Sequence, residues 1–446
     1  MNAVVQPASL LGFADAHARL GPTLPGGSSW QARRTRALAQ LMQLGLPSQR
    51  DEAWKYAPIR LLEQKQFEPA RVDERPDAAL RESIESGALA IPAARRLTFL
   101  DGRFQPALSD EPATIDDVQL SMLPDELSAN PAALLERIPA PGDRAEDRLA
   151  LLNEAFLSEG VRVHVAAGAT PAPLQLQFIT YVEGRSRHPR VLIEVESGAH
   201  VQLIEQHIGR SSGQAMSNGV TNILLRPGAV LEHYLLIDPS AHDLALHGTY
   251  VEQLSDSRLV HHRVLMGGQL ARASLQVKLA ERGAAIELNS LALALNSDYA
   301  DAHSVLNHCA PSTRSVERFR AAAGPGGRCV FNGRVHVHAG APGSDSSQSS
   351  RGLLLAPGAE IDARPQLEIY TDDVKCSHGS TTGTLDEDML FYLLSRGIDA
   401  ATARGLLIFA FLDDVVARMG IDAVRRHLEQ RMAATLPDAP AIREFL

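Results

Sequence analysis

Beyond Gly160 the chain breaks into short runs in which apolar and polar residues alternate: "VRVHV", "LQLQFITYV", "RVLIEV", "HVQLIEQHI", "VLEHYLLI", "SLQVKLA" and "AIELNSLALAL". Alternation of period two, rich in Val, Leu and Ile, predicts strands. A turn recurs between them: "AAGAT" at Gly168, "ESGAHVQL" at Gly198, "RPGAVLEH" at Gly228, "ERGAAIEL" at Gly283 and "APGAEIDA" at Gly358. The first three of these glycines are thirty residues apart and the later gaps are larger. Repetition of this kind signals a solenoid, because a single rung cannot bury its own apolar face. A Gly-Ala pair suits the corner, where Gly accepts positive φ and Ala fits a crowded bend. The expected fold class is therefore mainly β: a right-handed parallel β-helix over residues 160–378, with helical, loop-rich residues 1–159 before it and helical residues 379–446 after it. A two-sheet sandwich is the alternative, since strand spacing is common to both.

The flanks carry a different period. "SSWQARRTRALAQLMQLGLP" predicts a helix with a Ser cap and a Gly-x-Pro stop, and "DRAEDRLALLNEAFLSEG" predicts another, ended by Gly160. Residues 100–142 are rich in Pro, Asp and Ser and are expected as a linker-like cover. Near the C-terminus, "TLDE" reads as a capping box with Thr384 as cap and Glu387 reaching back. Leu385, Met389, Leu390, Leu393 and Leu394 form a stripe that Gly397 closes. Asp399 starts a further helix through "LLIFAFLDDVVARM", ended by Gly420, whose middle is apolar nearly all round. Either the solenoid and its neighbouring helices cover that apolar belt, or another protein does.

Charge and composition then remove function classes. A net charge of −10 argues against nucleic-acid binding, which needs a basic surface. Lysine occurs only at Lys55, Lys65, Lys278 and Lys375, none after a glycine, so no P-loop for ATP is present. "GPGGRCVFNG" has Cys329 where a dinucleotide loop needs its third glycine, and no G-x-S-x-G elbow occurs. The start of the chain lacks a basic segment followed by an apolar run, so no signal peptide is expected. "ARGLLIFAFL", about ten residues, is too short to span a bilayer. Three cysteines, Cys309, Cys329 and Cys376, imply no disulfide framework and fit a reducing cytoplasm.

The chemistry gathers in "DDVKCSHGSTTG", residues 372–383. If the preceding "LEIYT" continues into it as a strand, Asp372, Val374, Cys376 and His378 share one face, while Asp373, Lys375 and Ser377 take the other. Positions i and i+2 lie about 7 Å apart along a strand, close enough for a thiolate and an imidazole to lean toward one metal. Iron and zinc accept both donors. An iron–sulfur cluster usually demands four ligands, however, and the other two cysteines are remote in sequence, so a second polypeptide is the simplest source of the rest. The bland reading is a small buried thiol and a hydrogen-bonded imidazole. Asp372 and Asp373 are candidate extra ligands or turn residues, and Lys375 balances their charge. His336 and His338 in "VHVHAG" also share a face, as minor metal candidates; Cys309 and Cys329 read as structural.

"RPQLEIYTDDVKCSHGSTTGTLDEDMLFYLLSRGI" resembles, densely and over more than thirty residues, the C-terminal signature of the SufB/SufD family of the SUF iron–sulfur cluster assembly machinery. "RDEAWKYAPI" resembles that family's Trp-Lys-Tyr segment, and the repeating middle suits its β-helix. The short chain, the Trp-Lys-Tyr element and the scarcity of cysteine resemble the SufD branch more than the SufB branch. The resemblance implies a cytoplasmic scaffold subunit that is not itself an enzyme. It would form a heterodimer with SufB through the β-helix and bind the SufC ATPase through its C-terminal helices. On the matching positions it implies His378 as principal ligand, then Cys376, for transient iron or a nascent Fe–S cluster shared with SufB. Leu385, Met389, Phe391, Leu406, Phe409 and Phe411 are the expected SufC-facing residues, and no membrane or nucleic acid is involved. Self-pairing, a SufB-type identity, a non-liganding scaffold role and any part for a flavin stay open. A β-helix enzyme acting on polysaccharide is the remaining rival; Asp372 and Asp373, being adjacent, would face opposite ways on a strand, which suits paired acid–base work poorly.

Overall fold

The computed structural model describes residues 7–70, 84, 89, 91–112, 114, 115, 117–142 and 147–436. The first six residues of the stretch read above for a signal peptide, and the first four of "DRAEDRLALL", lie outside them.

The alternating segments form two sheets, of twelve and ten strands among the described residues, and the chain visits them in turn. From His200–Gly209 to Ser344–Leu354 each strand pairs in parallel with the strand two places on, as in His200–Gly209 with Val230–Asp238, and Met216–Leu225 with Leu244–Gln253. That is a parallel β-solenoid with two strands per rung; the sandwich alternative needs antiparallel neighbours and fails. One residue's register determines the next rung's, because a slip by one would turn every inward side chain outward.

The thirty-residue repeat is real but elastic. Paired positions are 27 residues apart at Arg258↔Ala285 and 31 apart at Arg314↔Asp345. The corner leading into the ten-stranded sheet keeps a left-handed residue on successive rungs: Gly168, Gly198, Gly228, Asp256, Gly283, Ser312 and Gly343, with φ of 53–76°. Asp256 and Ser312 fill slots left by missing glycines, which hid two rungs from a glycine count. The Gly358 turn, read above as the same corner, instead precedes Glu360–Ile369 on the other sheet. At most of these corners the left-handed N–H donates to a carbonyl of the next turn, for example Gly168 to Ser197 at 3.0 Å and Gly228 to Ser255 at 2.8 Å. The ladder thus continues around the bend, leaving few backbone groups unpaired.

Helical layers cover both outer faces. Helices α1 (Ala8–Leu20), α2 (Gly27–Leu44) and α3 (Arg148–Ala155) lie against the twelve-stranded sheet, burying Leu10, Phe13, Leu41 and Leu152 with Met216 and Leu246. Trp54, from the Trp-Lys-Tyr segment, is buried in the same layer. The Arg272 guanidinium lies 3.7 Å from its ring centroid. At the C-terminus, α4 (Glu387–Ser395) is followed by α5 (Ala400–Val416) and α6 (Asp422–Thr435). Ile408, Leu412, Val424 and Leu428 of α5 and α6 pack on Tyr234, Leu236, Val264 and Leu291 of the ten-stranded sheet. The apolar belt of α5 is thus largely covered within the chain.

Several caps differ from expectation. Gly26, not a serine, caps α2 at φ 112°, because a left-handed turn there lets the chain approach Trp30 closely. Asp386, not Thr384, caps α4, its carboxylate accepting the N–H groups of Asp388 and Met389 at 2.9 and 3.1 Å. An aspartate two residues nearer the helix outcompetes the threonine for the same orphan donors. Helix α3 stops at Ala155, and Gly160 opens the first full strand of the solenoid instead of closing the helix. Helix α5 likewise ends at Val416, ahead of Gly420.

The two ends of the rod are unlike. The first end is closed: Val118–Met122 pairs antiparallel with Gly160–Val165, and Arg95–Leu100 lies along Leu174–Thr180. The segment expected as a linker-like cover thus supplies strands and two short helices, Leu123–Ala129 and Pro131–Arg137. The other end is open. Glu360–Ile369 and Val374–Gly383 are terminal strands of the two sheets, with no further strand on either among the described residues.

Candidate functional site

The open rung is where the predicted donors sit. Val374–Gly383 pairs with Ser344–Leu354 on one side, placing Cys376 beside Ser346 and His378 beside Gln348. Ser346 and Gln348 are buried inward residues, so alternation turns Cys376 and His378 toward the solenoid interior at its mouth. Cys376 is half-buried and packs against the interior aliphatic cluster. His378, one pleat further along, is exposed. Beneath it Gln348 donates to Glu317 at 2.7 Å, so the imidazole continues an inward polar column Glu317–Gln348–His378. The thiol is not pre-activated: burial pushes it above its ordinary range, and the nearby Asp345 charge adds to that. It becomes a good ligand only once a bound cation displaces its proton.

The aspartates are placed differently. The strand begins at Val374, so Asp372 and Asp373 lie in the bend before it and the alternation does not carry Asp372 onto the Cys376 face. The Asp373 carbonyl accepts the Gly343 N–H at 2.6 Å, closing the corner ladder at its last step. Lys375 is exposed on the outward face. His336 and His338 do share a face, their rings stacked with centroids 4.0 Å apart, and Glu368 lies 3.8 Å from His336. Cys329 is sealed inside, its thiol pushed up strongly by burial, with Ala322 O at 3.5 Å. Cys309 is half-buried on a loop, its thiol raised by burial. The three cysteines are not brought together.

Among the expected SufC-facing residues, Met389 and Phe391 are 57% and 72% exposed on α4, alongside Tyr392 and Leu394. No residue of that helix is buried. Leu385, Phe409 and Phe411 instead pack partly against the α5–sheet layer, and Leu406 is half-buried. Ile369 and Tyr370, at the end of the other open strand, are also exposed.

The sequence reading missed a second group altogether. Glu205, His207, His233 and His247 come from three adjacent rungs and meet inside the rod. Each stands at the inward phase of an otherwise aliphatic strand, in "LIEQHI", "LEHYLL" and "LALHGTY". A charged or imidazole residue at an apolar phase was the available signal, and only stacking shows that the three rungs converge.

The fold is a two-sheeted parallel solenoid whose last rung is open among the described residues and carries a thiol and an imidazole on one strand. The comparisons give that fold its family. Residues 178–411, over half the chain, match the family model described as SUF system FeS cluster assembly, SufBD core domain. The chain is 30% identical over 407 residues to the iron–sulfur cluster assembly protein SufD of Escherichia coli, covering 90% of this chain and 92% of that one. It is also 28% identical over 409 residues to protein ABCI7, chloroplastic, of Arabidopsis thaliana, covering 87% and 82% of the two chains. A SufBD family iron–sulfur cluster assembly protein of Synechocystis is 28% identical over 414 residues, 89% of each chain. The chain belongs to the SufB/SufD family and is a SufD homologue. The family is one of iron–sulfur cluster assembly, and none of these relatives is named as a polysaccharide-active protein. No helix among the described residues is long and apolar enough to cross a membrane.

Proposed function

We propose that this chain is the SufD-type subunit of a SUF scaffold. In this reading it pairs with SufB through the open end of its β-helix, holds SufC on its C-terminal helices, and lends His378 and Cys376 to iron or a nascent cluster at the junction. One observation carries the reading: the last rung leaves two ten-residue strands uncapped, and both donors stand on it. Long bare strand edges invite pairing with another chain, and proteins ordinarily blunt them. Here one end of the rod is blunted and the other is not. Cys376 and His378 supply two donors where a cluster needs four, so SufB would bring the remainder. Iron is the cargo of this site, bound at the junction and passed on. ATP hydrolysis falls to SufC, since this chain carries no P-loop.

The test is iron in the complex co-purified with its neighbours. His378→Ala is expected to lower bound iron by roughly tenfold or more, the usual cost of losing a ligand or its support. Because His378 is exposed, the thermal midpoint should not move. Iron unchanged in a folded complex would favour the second reading, in which the subunit templates SufB and binds no metal. Mass measurement of the same complex distinguishes a SufB–SufD pair from self-pairing.

The SufC contact has its own expected outcome. Phe391→Asp places a charge in the most exposed aromatic of α4 without disturbing anything buried. Affinity for the ATPase subunit should fall by roughly tenfold or more, as for a central aromatic anchor. Titration of SufC monitored by calorimetry reads it. Undiminished binding would move the contact away from α4.

A further inference from the structure

Glu205 lies at the inward phase of His200–Gly209 and is completely buried. Its carboxylate faces three imidazoles. His207 Nε2 is 2.9 Å and His247 Nε2 3.6 Å from Oε1, and His233 Nε2 is 3.3 Å from Oε2. The three donors of Glu205, His207 and His247 all lie within 4.8 Å of one another. Around a cation with bonds of 2.0–2.1 Å, tetrahedral donors stand about 3.3 Å apart, so the observed distances bracket that spacing. Thr221 Oγ donates to both carboxylate oxygens, at 3.0 and 2.8 Å, and fixes their direction. His261 Nδ1 lies 3.1 Å from His233 Nδ1, so the second ring nitrogen of His233 is also engaged.

Two further observations point to a ligand. Both ring nitrogens of His247 are buried without a hydrogen-bond partner among the described residues, although Nε2 faces the Glu205 carboxylate at 3.6 Å. Such groups are costly unless something satisfies them. The neighbouring strand also carries Gly219, where a Cβ would stand 2.6 Å from His247 Nδ1 and 3.1 Å from His207 Cε1. Glycine weakens a strand interior and often marks a close approach; here it leaves the room that the two rings occupy. Moreover, the ion partners of Glu205 among the described residues are all histidines, with no Arg or Lys. A buried carboxylate needs a compensating cation.

We propose that Glu205, His207, His233 and His247 form a resident binding site for a divalent transition metal, sealed within the solenoid and distinct from the Cys376–His378 rung. Three imidazoles and a carboxylate suit zinc, iron(II) or cobalt(II). By joining three rungs the metal would clamp the rod from inside. Because the sheets enclose the site, it loads as the rungs stack and is retained afterwards.

Cobalt(II) is the probe, as a spectroscopic stand-in for the class. The full-length chain is refolded with cobalt(II), gel-filtered, and read for metal content and ligand-field absorption. The expected result is one cobalt per chain in a low-symmetry nitrogen–oxygen field, unchanged by His378→Ala or Cys376→Ser. His247→Ala and Glu205→Gln should each lower retained cobalt by roughly tenfold or more. Gly219→Ala, which keeps every donor but crowds two rings, should lower it as well, with the strand signal in circular dichroism intact. Folded wild-type chain that retains no cobalt overturns the proposal. So does cobalt that survives Glu205→Gln yet disappears with His378→Ala, which would assign it to the open rung. Loss of iron at that rung leaves this site standing, and the converse also holds.

Discussion

A Gly160→Ala chain is expected to lose more than about 4 kcal/mol of stability, enough to empty the folded state of a protein with an ordinary margin. Gly160 opens the first full strand of the rod at φ 138°. A Cβ there would stand 1.8 Å from the backbone carbonyl oxygen of Arg190 on the next rung. No flexible side chain can yield, because the obstacle is main chain held in register at Gly160↔Arg190. Relief means pulling the first rung from the second, where Val161, Val163, Val191 and Ile193 are buried together. Gly168→Ala is the control. It shares a left-handed backbone, φ 71°, but a Cβ there meets nothing within 4 Å. Its cost should be confined to the conformational penalty, about 1–2 kcal/mol. Urea unfolding of the two variants checks the pair, and equal midpoints would refute the clash argument.

The second large effect concerns the N-terminal clamp. Asp301 is buried, with His303 Nε2 2.7 Å from its Oδ1 and the Arg272 guanidinium paired to its Oδ2. Arg272 in turn lies over Trp54 and donates to the Ala53 carbonyl at 2.8 Å, tying the Trp-Lys-Tyr segment to the solenoid. Asp301→Ala leaves a buried guanidinium without its counter-charge, at an expected cost of about 3–5 kcal/mol. Replacing both members, Arg272→Met with Asp301→Leu, should cost clearly less, since no orphaned charge remains. Denaturant midpoints report the difference, and a double variant as unstable as the single one would count against the ion pair. There is an acid counterpart. Burial works to raise the Asp301 carboxyl, and Arg272 and His303 together more than offset it, so its folded value lies below the unfolded one. The pair's stabilisation is therefore complete above the ordinary carboxylate range near 3.9, and is lost as pH falls through the depressed folded value. The double variant should show a flatter acid limb.

Much of this was legible because its cause is local. Period-two alternation between Val161 and Leu293 announces strands, since the pleat sends neighbours to opposite faces. The glycine corners announce stacking because the same bend must recur on each rung. The count failed where Asp256 and Ser312 adopt the bend without glycine, and at Gly358, where a similar turn serves the opposite edge. Helix caps failed for a related reason: Asp386 and Thr384 offer competing oxygens within one turn, and backbone direction chooses between them.

Chemistry divides along the same line. Cys376 and His378 are two residues apart, so one strand is enough to bring them together, and sequence alone located them on one face of it. It also determined that the chain is a repeating rod with helical flanks and too few thiols to complete a cluster alone. Tertiary structure decided which end of the rod stays open, and that Asp372 and Asp373 close a corner. It also decided that Trp54 sits beneath Arg272, and that Glu205, His207, His233 and His247 converge. Those outcomes depend on which rungs stack and where the flanks fold back, contacts between residues tens to hundreds of positions apart that no local period encodes.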